Sequence, residues 1–388
     1  MMKKYWKLFI LVLFTFSLLG IHYVQAGREM SDYLTLSLKT IHGDESVVQN
    51  RTFYGSYNQS SLYTFATVKL EGYTTPINSL FGMYGSYFSP EIEPLVNQYR
   101  SFMRGKIYHP GYYYEDEERL LYVDIPEKNS SHKSSQPITF NVSSLTKSNG
   151  KQLKYTATTT QTFNYAHVEE VQFVDGYIKV IVSARKGNQN SILYVFTIDE
   201  TKRTVIENMP LMTSKPGEDQ TFHFMYNDYS YTPKTNFLYG SSLDYINFTV
   251  DSSNQGESER DFKLYKMDLK TMINEQIDVP EAVRNNNSIT TITTTNDATH
   301  FVVHSENELE LYSYHFNNNE WTHIELEMSG GMSAVEAFVV NDVLYFTHED
   351  AGKNLVDAYN VATGKRLYRG EVASKSGAPF YFRMSSVK

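Results

Sequence analysis

The run Tyr112-Tyr113-Tyr114-Glu115-Asp116-Glu117-Glu118 places four carboxylates beside three phenol rings. Neighbouring carboxylates can divide general acid and general base work, or hold Ca²⁺. The spacing of an EF-hand loop is missing, and a short charge run ordinarily marks a solvated turn. His300 and His304 stand four apart in HFVVH. On a helix one metal would reach both, but these residues are strand formers, and four strand positions span about 13 Å. His348-Glu349-Asp350 and His42-Gly43-Asp44-Glu45 read as polar turns. No zinc motif, phosphate-binding Gly-rich loop or G-x-S-x-G elbow is present. With no cysteine, thiol catalysis is excluded. The expectation is no catalytic residue, no metal ligand and no cofactor. Aromatic loops remain: Tyr112, Tyr113, Tyr114 and Glu115, and Tyr229 and Tyr231 in NDYSYTP. Tyrosine offers a large contact area with a polar tip, so these six residues are the candidate interaction surface.

The rest of the 388 residues must position them. A hydrophobic content of 41% and a charged content of 20% are those of a chain that can build a full core. The net charge of −9 and the lack of a basic patch argue against nucleic acid as a partner. The 31 Tyr and 23 Phe, with many β-branched residues, favour strands.

The first 26 residues have the form of an export segment. Lys3, Lys4 and Lys7 precede the apolar stretch Leu8–Leu19, and Val24-Gln25-Ala26 suits cleavage before Gly27. The alternative is an uncleaved anchor, with membrane contact only through residues 5–24. Either way residues 27–388 form one domain expected outside the cytoplasm, secreted or held at the cell membrane. An exported chain without cysteine draws its stability from burial.

Five stretches repeat one pattern: an aromatic-rich alternating strand, a polar turn and a second strand. They are ITFNVSSLTKSNGKQLKYT, ILYVFTIDETKRTVIEN, FKLYKMDLKTMINEQID, ELYSYHFNNNEWTHIELE and LVDAYNVATGKRLYRGEV. A first hairpin precedes several of them, turning at Asp175-Gly176, Asn296-Asp297 and Asn341-Asp342. The turn after the third strand is expected at Ser143, Asp199, Asp268, Asn317 and Ala362. Four antiparallel strands recurring at about 45 residues are the pattern of a β-propeller blade. The fold expected is all-β, a propeller of six or seven four-stranded blades, with six the better count. Residues 31–50 are expected to complete the last blade.

NVATGKRL at 360–367 resembles the outer-strand turn of quinoprotein-like and WD40-like propellers. The resemblance covers most of residues 110–373 as pattern only. The repeated Trp docking motif is missing, as is a Gly-His…Trp-Asp pair. As a whole the chain is similar to exported propeller-like proteins of Gram-positive bacteria with no assigned activity. That resemblance implies the fold and little chemistry.

One segment breaks the strand pattern. In SPEIEPLVNQYRSFMRG, Ile92, Leu95, Val96, Tyr99, Phe102 and Met103 recur at helical spacing, predicting one amphipathic helix over 90–104. Its stripe either seals a sheet edge or docks a partner. The function expected is a non-catalytic protein-interaction or sensory module at the cell envelope, with an envelope or membrane protein as partner. The alternatives are a hydrolase or lyase acting in a central channel, and a binder of wall polysaccharide.

Overall fold

A computed structural model describes residues 2–33, 36–59, 62–70, 92–126, 131–186, 192–211, 220–224, 245–253, 260–284, 289–295, 298–304, 309–327, 333–374 and 380–387. Val, Ile, Phe and Tyr dominate the strands, as a pleated and half-buried surface selects. In chain order these are β1 Leu36–Gly43, β2 Phe53–Gln59, β3 Leu62–Val68, β4 Tyr113–Glu115, β5 Arg119–Asp124, β6 Ser131–Thr146, β7 Gln152–Val174 and β8 Tyr177–Arg185. They continue as β9 Ile192–Asp199, β10 Thr204–Pro210, β11 Gln220–Phe224, β12 Tyr245–Ser253, β13 Arg260–Asp268, β14 Ile273–Ile277, β15 Ile289–Thr294 and β16 Ala298–His304. The last are β17 Leu309–His315, β18 Glu320–Leu326, β19 Ser333–Val340, β20 Val343–Asp350, β21 Lys353–Asn360, β22 Arg366–Ser374 and β23 Tyr381–Val387.

Among the described residues these strands form five antiparallel sheets. Two are four-stranded, β11 to β14 and β15 to β18, each in chain order. The repeated hairpins are the third and fourth strands of their arrays: β6/β7, β9/β10, β13/β14, β17/β18 and β21/β22. Asp175-Gly176 and Asn341-Asp342 turn with positive φ, as a two-residue hairpin requires. Asn296-Asp297 lies outside the described residues. Ser143 is not at a turn: β6 runs on to Thr146, and the chain reverses at Gly150, φ +69.

A seven-stranded sheet runs β10-β9-β8-β7-β6-β5-β4. It is continuous because β7 is one 23-residue strand. Its first part pairs with β6, from Gln152↔Leu145 to Tyr165↔Ser131. Its second part pairs with β8, from Tyr165↔Arg185 to Val174↔Tyr177. β1 pairs with β22 as a fifth strand of the β19–β22 array, so of residues 31–50 it is Leu36–Gly43 that joins this array, and it adds to four strands already present rather than completing them. The other N-terminal strands, β2 and β3, join the C-terminal β23 in a sheet of order β23-β2-β3.

Packing follows the same succession. Val174, Ile181 and Val195 of the large sheet meet Met267 and Leu269. Leu264 meets Phe301, Val303 and Tyr314. Val302 and Leu311 meet Leu344, Phe346 and Tyr359, while Tyr345, Val356 and Tyr368 meet Phe53, Phe382 and Met384. Inner strands are therefore covered on both faces. Every residue of β9 is buried, which is why its sequence is a nearly continuous apolar run.

The expected single helix over 90–104 is two short ones, α2 Ile92–Gln98 and α3 Arg100–Met103. Tyr99 between them leaves helical geometry, with φ −120° and ψ 44°. The stripe itself is as read. Ile92, Leu95, Phe102 and Met103 are buried in the core of the large sheet, with Val96 and Tyr99 packed on it. At the amino end an α-helix, α1, spans Met2–Tyr33, and its large apolar side chains between Phe9 and Val24 are exposed. Among the described residues no helix is long and apolar enough to cross a membrane.

Candidate functional site

The tyrosine run starts on a turn of 3₁₀ helix, Pro110–Tyr112, and continues into β4. Gly111 is required there: a Cβ would come 2.1 Å from the Glu169 carbonyl oxygen on β7. This close approach presses the run into the sheet. Tyr112, Tyr113 and Tyr114 are all buried, so they are core rather than an exposed patch. Each phenol is held in its neutral form chiefly by desolvation, Tyr114 pushed up to about 12. The Tyr113 hydroxyl donates to Ile107 O at 2.9 Å, and the Tyr112 hydroxyl lies 3.2 Å from His167 Nδ1. Glu115 is matched by Lys147 at 2.6 Å, with the Tyr99 hydroxyl at 3.4 Å. Asp116 caps its own turn, accepting from the amides of Glu118 and Arg119, and the Arg119 guanidinium lies 3.9 Å above the Phe173 ring. Glu115 and Asp116 are thus architectural. Tyr229 and Tyr231 lie outside the described residues.

His300 is buried on β16, its Nδ1 2.7 Å from Ser313 Oγ on β17. Burial first, then the His315 ring, depress its pKa to about 3, so it stays neutral. His304, four along the same strand, pairs in register with Leu309. Among the described residues no three His, Asp or Glu side chains are grouped to hold a metal.

Sequence reasoning missed a sealed cluster on β20, β21 and β22. Asp357 receives Arg369 through Nε at 2.7 Å and Nη2 at 2.6 Å, and His348 Nε2 at 3.0 Å. Burial pushes the Asp357 carboxyl up, but the bonds from Arg369 and then His348 outweigh it and hold the pKa below the usual range. Tyr359 Oη lies 3.5 Å from the same carboxylate and donates to Glu327 O at 3.0 Å, tying this array to the chain after β18. His348 Nδ1 is buried with no hydrogen-bond partner among the described residues. Register alone brings these groups together, since Phe346, Asp357 and Arg369 lie side by side across three strands.

A second polar group was also missed, and it reaches solvent. Tyr122 on β5, Ser143 on β6 and Lys154 on β7 are direct cross-strand neighbours and share one face. Asp124, two along from Tyr122, shares it too. The Tyr122 hydroxyl donates to Asp124 Oδ2 at 3.0 Å, and Oδ1 is buried without a partner among the described residues. Lys106, just past α3, places Nζ 4.0 Å from the Phe102 ring centre and 5.2 Å from that of Tyr122. Its ammonium donates to Phe102 O. Burial, then Lys154, lower its pKa to about 8, with Asp124 opposing. The signal available in sequence was the alternation of polar residues in LYVD and FNVSS, which reads equally as a solvated face.

No family model matches this chain, and no curated protein matches it. Among solved structures it is similar to the uncharacterised protein lmo1340 of Listeria monocytogenes, with 13% identity and a TM-score of 0.35, over 68% of this chain and 65% of that one. It is similar to the Dos1 propeller, with 9% identity and a TM-score of 0.33, over 65% of this chain and 62% of that one. A mutant of Synechocystis apocarotenoid oxygenase gives 9% identity and a TM-score of 0.40, over 83% and 70%. The chain thus spans less than two thirds of the length of the first two. All three scores are low, and the fold described above stands on strand pairing alone.

Proposed function

We propose that this chain is an exported β-propeller that works as a non-catalytic binding module at the cell envelope. The succession of packed sheets supports the propeller. Each sheet meets the next in chain order, β7 supplies the outer strand of one four-stranded unit and the inner strand of the following one, and β23 pairs with β2. Divided at β7, the five described sheets can be grouped into six units, which supports a six-bladed reading. The helix at the amino end supports export. Three lysines precede a stretch whose apolar side chains nothing covers, and a secretory signal needs only about 7–15 apolar residues.

The observation that carries the binding role is a polar group on the face of β5, β6 and β7. Lys106, which precedes the first array, stands over Tyr122 on that face, with Ser143 and Lys154 across the strands and Asp124 two residues along. Tyr122 and Ser143 are buried beneath it, while Lys154 is exposed. The test is a fusion of the full chain to a reporter active only outside the cytoplasm, followed by co-sedimentation of the full chain with isolated envelopes. Reporter activity with co-sedimentation is expected. An inactive reporter, or a chain that stays wholly in the soluble fraction, overturns the reading.

A further inference from the structure

We infer that the face of β5, β6 and β7 carrying Tyr122, Ser143 and Lys154, with Lys106 above it, is an oxyanion site that takes the phosphate or carboxylate group of a ligand. This deepens the binding-module reading and rests on it. The chain as a whole is acidic, at −9, yet here two ammonium groups crowd one carboxylate. Neighbouring strands lie about 4.8 Å apart, so Tyr122, Ser143 and Lys154 form one straight row across three strands. Lys106 leans over the first member of that row, against the Tyr122 ring. Neither Lys106 nor Lys154 makes an ion pair among the described residues, whereas nearby Lys147 is taken up by Glu115.

Two cations and the Asp124 carboxylate leave one positive charge without a counter-ion, beside the Ser143 hydroxyl. An oxyanion offsets that excess and accepts from both ammonium groups, and such charge-assisted bonds are the stronger kind. The Tyr122 hydroxyl donates to Asp124 and holds its carboxylate in place.

The depressed Lys106 pKa supplies the readout. An amine reacts with acetic anhydride only when deprotonated, and an anion held against Lys106 restores its proton. The experiment follows acetylation of Lys106 in the full-length protein by peptide mass spectrometry, with inorganic phosphate and with polyphosphate as probes. Phosphate is expected to slow the reaction roughly tenfold, which is a rise of about one pKa unit, while leaving the exposed Lys151 unchanged. Protection by polyphosphate and not by free phosphate identifies a polymer-borne group as the source. Lys154→Ala, at an exposed position, removes the protection, whereas Lys151→Ala keeps it. Equal Lys106 rates with and without both probes overturn the site, as does undiminished protection in Lys154→Ala. If the reporter fusion shows that the chain is not exported while phosphate still protects, the envelope reading falls and the oxyanion site stands.

Discussion

His300 and His348 lie on the second strands of successive arrays, β16 and β20, and both are sealed from water. Their environments differ in kind. His300 is answered by one hydroxyl on the next strand, and desolvation keeps its ring uncharged. His348 is answered by a carboxylate, which can stay ionised out of water only because Arg369 grips it with two nitrogens. The first arrangement involves two strands and no charge. The second commits β20, β21 and β22 together, and through Tyr359 it reaches the neighbouring array. A buried neutral group needs a partner, but a buried charge needs a set of partners, and the set is what couples strands.

Breaking the charged set should have the largest effect. Asp357→Ala leaves Arg369 without its anion and His348 without its acceptor, and the expected loss is about 3–5 kcal/mol of unfolding free energy, measured by urea denaturation. A loss below about 1 kcal/mol would place this cluster with solvent-screened pairs. The next effect is in acid. The folded His300 pKa lies near 3, below its unfolded value, so the unfolded chain binds the extra proton. Stability is then complete above about pH 6.5 and falls as pH drops toward 3. Asp357 is depressed as well, but its stabilisation is complete above the ordinary carboxylate range and is lost only at lower pH. His300→Gln should therefore flatten the stability curve between about pH 6.5 and 4, by up to about 1.4 kcal/mol for each pH unit, and leave the steep fall below pH 4. An unchanged slope across the upper window would show that His300 titrates normally. The smallest effect is expected from Ser313→Ala, about 1 kcal/mol for one neutral hydrogen bond whose partner stays buried. Matching losses from Ser313→Ala and Asp357→Ala would erase the distinction between the two sites.

The first hairpins of the arrays were legible because their turns carry chemistry in single residues, such as Asp175-Gly176 and Asn341-Asp342 with their positive φ. Ser143 misled because alternation marks the face of a strand and not its end. The helical stripe of 92–103 was legible from spacing, but the break at Tyr99 was not, since no Gly or Pro announces it. β7 was missed as a single strand: its polar middle, TATTTQTFNYA, looks like a loop between repeats. The tyrosines at 112–114 looked like surface because a short strand covered on both faces shows no alternation to betray burial. Asp357, His348 and Arg369 are ordinary polar letters 9 and 12 positions apart. Only the register of three strands makes them a cluster, and register is a property of pairs that a lone segment does not carry.

The pairing of β2 with β23 has a consequence for the order of events during synthesis. β2 and β3 emerge from the ribosome early, and at that stage they have only each other. An isolated two-stranded ribbon is marginal in water. Their third strand, Tyr381–Val387, follows every other described strand, and β1 likewise waits for β22. Entropy is a minor obstacle, because the cost of joining distant segments grows only with the logarithm of the intervening length. Timing is the larger one. A nascent chain interrupted anywhere before Tyr381 keeps an open strand edge at its leading end, exposed to chaperones and proteases. Completion of this sheet is thereby tied to the delivery of β23.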